Sequence, residues 1–313
     1  YNTAIGRGTL QNQDAGNAYN TAVGYNAGTN VTTGVTSVIM GGLAGAALTS
    51  GSDNIVIGYA ALSSEDTRGR NIAIGTLALS SQNSAADAYN VAIGYTAGTA
   101  MTTGVENVLI GGLAGDALTT GHRNTVLGTY ALSTEDTGGR NTAIGFRTLE
   151  TLDVGADGYN VAVGYNTGQA MTTGVNNTLM GSTTGDALTT GTNNVAMGYG
   201  ALGSEDTGGQ NVAIGVNALN TLNYAGNGLN VAVGYNAGVL MSTGIENIIM
   251  GGLAGDALTT GARNIAIGYA ALSTEDTGGH NVAIGRNALA TLDAGADGHN
   301  VAIGSSAGES LST

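Results

Sequence analysis

Residues 90–98 read NVAIGYTAG, and nearly the same nine residues return at 160–168 (NVAVGYNTG), 230–238 (NVAVGYNAG) and 300–308 (NVAIGSSAG). Self-similarity at a fixed interval is the mark of a repeat architecture and takes precedence over any other fold reading. Aligned on this phrase, the pattern of Asn, β-branched residue, small or aliphatic residue, aliphatic residue and Gly begins 18 times, from Asn2 to Asn300, with Ser37 opening the one copy that lacks Asn. The starts lie mostly 17 residues apart, with a 19-residue step after every fourth copy and an 18-residue step at the beginning. A higher period of 70 therefore runs through Asn20, Asn90, Asn160, Asn230 and Asn300. The chain reads as a single repeat domain over 1–313, with higher repeats 20–89, 90–159, 160–229 and 230–299 and partial units 1–19 and 300–313. Because it opens in mid-repeat and stops short of a full last coil, it reads as a segment of a longer chain.

A Gly every few residues argues against helices, since each costs about 1 kcal/mol relative to Ala inside one. In Asn-Val-Ala-Ile-Gly the second and fourth residues share one face of a strand. Across the copies the second is Thr, Val or Ile and the fourth Ile, Val, Leu or Met, residue types that suit a pleated sheet. These two positions are expected to point into the coil interior. A strand this short has no stability alone, so its partner must be the next copy. The expected fold is all-β: a parallel β-solenoid, or β-roll, of about 18 coils of 17–19 residues. Within residues 90–159 the ninth coil position reads Gly98, Gly115, Leu132, Leu149 and the twelfth Met101, Leu118, Glu135, Leu152, so the coils exchange volume between two walls.

Asn at one fixed place in successive coils is the material of a side-chain ladder or of a turn cap. Asn20, Asn54, Asn71, Asn90, Asn107, Asn124, Asn141 and Asn160 are assigned that structural role. The third position lies between two expected core residues, and so is expected to face away from the coil, yet it never carries a charge or a hydroxyl. Ala92, Leu109, Val126, Ala143, Ala162, Leu179, Ala196 and Ala213 would then form an apolar stripe larger than soluble monomers usually leave bare. They are expected to be the seam of a parallel homotrimer, with a solitary rod as the alternative.

Composition narrows the class further. The 313 residues include 55 Gly and a single Phe (Phe146), with no Pro, Cys or Trp, and 42% are hydrophobic. Without Cys there is no disulfide framework and no thiolate metal site. No apolar run approaches the roughly 18 residues of a membrane-spanning helix, so membrane insertion is not expected. A formal charge of −14 with only eight Lys and Arg argues against nucleic acid and anionic membrane surfaces, and suits an extracellular location.

The phrases NTAVGYNAG, NVAIGRNAL and NIAIGYAAL resemble the head repeats of trimeric autotransporter adhesins, whose Asn-Ser-Val-Ala-Ile-Gly motif builds a left-handed parallel β-roll in a trimer. They are still more similar to the Asn-Thr-Ala-Val-Gly-Tyr repeats of bacteriophage tail fibres and related large surface proteins. The resemblance covers nearly the whole chain. It implies a trimeric fibre on a virion or cell surface. The coils here are longer than those of the adhesin heads, and the β-branched residue follows Asn directly, without Ser.

Few residues suggest chemistry. SEDTGG and its relatives place Glu65-Asp66, Glu135-Asp136, Glu205-Asp206 and Glu275-Asp276 once per 70-residue block. Their first reading is a solvated acidic turn. The alternative is a calcium site, since paired carboxylates supply oxygen ligands, although the calcium-binding nonapeptide pattern is absent and neighbours on a strand point opposite ways. A catalytic pair needs two distinct environments in a pocket, which fourfold copying does not provide, and no catalytic residue or cofactor is assigned. His122, His280 and His299 fall at freely varied coil ends. Tyr25, Tyr95, Tyr165 and Tyr235 follow the strand Gly, as do Tyr59, Tyr199 and Tyr269, and are read first as packing against neighbouring coils, second as sugar-stacking rings. The functional expectation is a non-enzymatic extracellular fibre that gives length and stiffness and mediates attachment. The alternatives are a rod that binds cell-surface glycans or another repetitive surface, and a polysaccharide-acting β-helix enzyme.

Overall fold

The protein was analysed as a computed structural model that describes residues 1–312, so that the last partial unit, 300–313, ends on a residue outside the description. Its contacts divide it into two units, Tyr1–Tyr159 and Asn160–Thr313, and the division falls on a boundary between 70-residue blocks. The first unit holds nine strands: β1 (Thr3–Ile5), β2 (Thr21–Val23), β3 (Val38–Met40), β4 (Ile55–Ile57), β5 (Ile72–Ile74), β6 (Val91–Ile93), β7 (Val108–Ile110), β8 (Thr125–Leu127) and β9 (Thr142–Ile144). The second holds β10 (Val161–Val163), β11 (Thr178–Met180), β12 (Val195–Met197), β13 (Val212–Ile214), β14 (Val231–Val233), β15 (Ile248–Met250), β16 (Ile265–Ile267), β17 (Val282–Ile284) and β18 (Val301–Ile303). Within each unit consecutive strands pair in parallel and in register, as Val91, Ala92 and Ile93 of β6 face Val108, Leu109 and Ile110 of β7. Each unit is thus a parallel β-solenoid, all-β among the described residues.

Each strand is only three residues long, yet hydrogen bonding between coils continues around the whole turn. In the coil that opens at Asn90, the N–H groups of Val91, Gly98 and Thr102 donate to Asn107, Ala114 and Thr119 of the coil that follows, at 2.8, 3.1 and 2.9 Å. Those of Gly94, Thr96 and Glu106 donate back to Ile74, Thr76 and Ala88, at 2.8, 2.9 and 2.7 Å. Backbone groups without a partner inside are costly, and stacking satisfies them in both directions.

The chain turns at residues in left-handed conformation. Tyr89 (φ 51°), Thr96 (φ 54°) and Gly98 (φ 58°) mark the corners of this coil, and the same places in other coils hold Leu, Arg, Glu and His as readily as Asn or Gly. A non-Gly residue there costs roughly 1–2 kcal/mol, a strain the neighbouring coils hold in place. At the Gly that ends a strand with another coil stacked on it no other residue fits: a Cβ on Gly94 would lie 2.2 Å from the carbonyl oxygen of Gly111 in the next coil.

The inward and outward faces of the strand are the reverse of the sequence expectation. The third position, not the second and fourth, fills the interior: Ala92, Leu109, Val126, Ala143, Ala162, Leu179, Ala196 and Ala213 are all 0% exposed. Those eight residues pack inside their own coils, where they cannot line a seam between chains. Their flanking neighbours, such as Val91 and Ile93, face out and are half-buried or exposed. The cause is the width of the coil. A turn of 17 residues encloses a thin interior, already occupied by the ninth and twelfth positions, and one small or medium side chain per strand completes it. Volume exchange between walls is retained: Met101, Leu118, Leu132, Leu149 and Leu152 are buried, and a Cβ on Gly115 would meet Leu118 at 2.8 Å and Leu109 at 3.0 Å.

Candidate functional site

Outside the thin core, four columns of side chains run from coil to coil, and a fifth lies within it. The internal one is the Asn column. Asn107 is 0% exposed; its Oδ1 accepts the backbone N–H of Asn124 at 2.9 Å, and its Nδ2 donates to the carbonyl of Gly121 at 3.0 Å. The same pair of bonds recurs at Asn90, Asn124, Asn177 and Asn194. Asn20 donates to Gly34 and accepts from the N–H of Ser37, whose own Oγ then accepts the N–H of Asn54. Asn71 takes up the N–H of Asn90 in turn, while Asn141 and Asn160 donate to Gly139 and Gly174. These amides therefore tie one coil to the next, and those of Asn90, Asn107, Asn124, Asn177 and Asn194 also close their own turn.

The acidic stretches separate into a buried and an exposed half. Glu65, Glu135, Glu205 and Glu275 are 0% exposed, which overturns the solvated-turn reading for these four. Glu135 accepts the N–H of Gly138 at 2.7 Å on Oε1 and that of Val154, one coil on, at 3.0 Å on Oε2. Glu205 and Glu275 repeat this with Gly208 and Tyr224, and with Gly278 and Ala294. Glu65 does so with Arg68 and Ser84. The carboxylate sits where the 19-residue fourth coil departs from the 17-residue path, and supplies acceptors that the shifted backbone does not. Burial is the main force pushing the Glu65, Glu135 and Glu205 carboxyls above the ordinary range, against the backbone donors that lower them, with a further push at Glu135 from Asp153 and Asp136.

In two blocks a third carboxylate joins: Glu135, Asp136 and Asp153 present oxygens within 4.8 Å of one another, as do Glu275, Asp276 and Asp293. The other two blocks carry Asn83 and Asn223 at the corresponding place. Both oxygens of each Glu already accept backbone donors, which leaves two exposed Asp side chains against the roughly six to eight oxygens that calcium takes. The donor set is thin for that ion.

The residue before each Asn forms an exposed column of polar and aromatic pairs. Glu106 accepts from Arg123 at 2.6 Å, Arg140 lies over the Tyr159 ring at 5.4 Å, and the His280 and His299 rings stack at 4.8 Å. His122 and His280 also face Asp157 and Asp297 at 3.6 and 3.7 Å. Exposed ion pairs of this kind contribute roughly 0–1 kcal/mol each.

A surface feature missed at the level of sequence is the outward strand face. In all 18 strands its two side chains are Thr, Val, Ile, Leu or Met. Exposed members include Met40, Ile55, Leu127, Val161, Met180, Met197 and Ile248. Beside it stands the residue after the strand Gly, where Tyr25, Tyr59, Tyr95, Tyr165, Tyr199, Tyr235 and Tyr269 are all more than half exposed rather than packed away. No cavity forms among the described residues. Neither the protein-family models nor the curated proteins compared with the chain match it.

Proposed function

We propose that the chain is a structural, non-enzymatic segment of an extracellular fibre, carried on a virion or a cell surface, in which three parallel copies close their outward strand faces against one another. The observation that carries this reading is the composition of that face: two columns without one charged residue in any strand. With a strand of three residues and nine rungs, each unit presents on the order of 400 Å² of such face, comparable with the largest apolar patch usual on a soluble monomer. A repeated surface is best matched by one with the same rung spacing, and another copy of the chain has it. The seam is thereby moved from the third position to the second and fourth. The resemblance to tail-fibre and adhesin-head repeats supports the same assembly. The carboxylates support a structural role too, since each block repeats one buried Glu held by two backbone N–H groups and no two acids are set apart as a catalytic pair.

Mass measured by light scattering tests this. The chain is expected at three times its 30.7 kDa. Replacing the outward residues Val108, Ile110, Val195 and Met197 with Glu is expected to give single chains with an unchanged β circular-dichroism spectrum. A single-chain mass for the unaltered protein would refute the seam.

A further inference from the structure

In the second unit, Tyr165, Tyr199, Tyr235 and Tyr269 occupy the position after the strand Gly in β10, β12, β14 and β16, one ring at every second rung. They are 53, 60, 59 and 52% exposed. Ser182, Val216 and Gly252 stand at the rungs between, so no second aromatic ring fills the gaps. The ring of Tyr269 leans over Gly252, where a Cβ would lie 3.7 Å from Cδ2; Tyr59 leans in the same way over Gly42 in the first unit, at 3.6 Å. Tyr25, Tyr59 and Tyr95 repeat the two-rung interval there. Because the strands stack in register, the rings are spaced by about 9.6 Å, two rungs of about 4.8 Å.

We propose that this tyrosine ladder is a binding site for a neutral, extended β-1,4-linked polysaccharide lying along the stack. Three features select that ligand. The apolar face of a pyranose stacks on an aromatic ring, and an exposed Tyr offers such a ring together with a hydroxyl. In a β-1,4-linked chain successive sugars are flipped, so every second sugar turns the same face to one side. The length of that disaccharide repeat is close to two rungs, and rings at every second rung meet equivalent faces without strain; an α-1,4-linked chain coils and cannot follow. Charge decides against polyanions: the chain carries −14 with eight Lys and Arg together, which repels them and leaves a neutral polymer free to approach. The outward strand face beside the ladder is a separate surface, assigned above to contact between copies.

The test is co-sedimentation of the whole chain with microcrystalline cellulose, with insoluble chitin and with granular starch, each sample also sized by light scattering. Retention on the first two and not on starch is expected. Y165A/Y199A/Y235A/Y269A is expected to reduce retention by about tenfold or more at unchanged mass and circular dichroism, each ring adding a small stacking increment. S182Y/Y199A keeps the number of rings but puts two on adjacent rungs, and is expected to bind as poorly as the loss of a ring. The proposal fails if the unaltered chain is not retained by cellulose or chitin, if starch retains it equally, or if the ring-moved variant binds as well as the original. It fails also if the alanine variants change the mass instead of the retention, which would assign the rings to contact between copies. Failure of the trimer seam would show in the mass of the unaltered chain alone, so the two readings fall separately.

Discussion

Glu135 is fully buried, accepts two backbone N–H groups from different coils, and faces Asp136 and Asp153. Burial holds its carboxyl above the ordinary range, as it does for Glu65 and Glu205, and for Asp116, Asp186 and Asp256 on the second coil of their blocks. A folded-state value raised above the unfolded one means that the folded chain holds its proton longer. The associated stability is complete below the ordinary carboxylate value and is lost as pH rises through the raised one. Acidification from about pH 7.5 to about pH 5 is therefore expected to raise the urea midpoint at these groups. Glu135→Gln removes one of them, so its midpoint should climb less over the same interval, with the difference between the two slopes isolating this residue from exposed pairs such as Arg123–Glu106. Parallel slopes would mean that the buried carboxyl does not titrate differently in the fold. None of this burial was legible in SEDTGG read as an acidic turn. The available hint was the Gly three residues after Glu135, Glu205 and Glu275: a Cβ on Gly138 would stand 2.4 Å from Glu135 Cδ, so the Gly leaves room for a side chain folded back into the turn.

At the scale of the coil, the period, the parallel stacking, the Asn column and the exchange of volume between the ninth and twelfth positions were readable from spacing alone, because each follows from a repeat that can only pair with itself. The direction of the strand was not. Two β-branched or long aliphatic residues per strand look like core by weight, whereas the interior needs one side chain per strand beside those already inside. The contradiction was present in the sequence: position one and position three share a face, so an Asn ladder bonded to interior carbonyls draws the third residue inward with it. The corrected orientation has a consequence for substitution. Ala92→Leu adds bulk to a filled cross-section beside Leu109 and is expected to cost about 1–3 kcal/mol, with a visible drop in melting temperature. Ile93→Leu, one residue along on the outward face, should leave the stability within about 0.5 kcal/mol of the original. Equal responses at the two positions would contradict the faces described for β6.

Over the whole chain the unit of construction is the 70-residue block rather than the coil, since only after four coils does the interior return to the same composition. Leu132 and Leu149 at the ninth position follow Gly98 and Gly115, and each pair of Leu rungs is relieved by a pair of Gly rungs before the next begins. Stability in such an array is close to a sum of units and neighbour contacts, so what a deletion removes matters less than what it brings together. Deleting residues 90–159 joins Tyr89 to Asn160 in the same local context as the original Tyr89–Asn90 junction, and every remaining coil keeps a neighbour of its usual kind. That variant is expected to keep its circular dichroism per residue and to melt only a few degrees lower. Deleting residues 90–123 removes half as much, yet it sets Leu62, Leu79, Leu132 and Leu149 on four successive rungs. The shorter deletion overfills one wall, so it should melt below the longer one. The reverse order of melting temperatures would mean that coils are interchangeable, and that the four-coil exchange of volume has no part in holding the solenoid together.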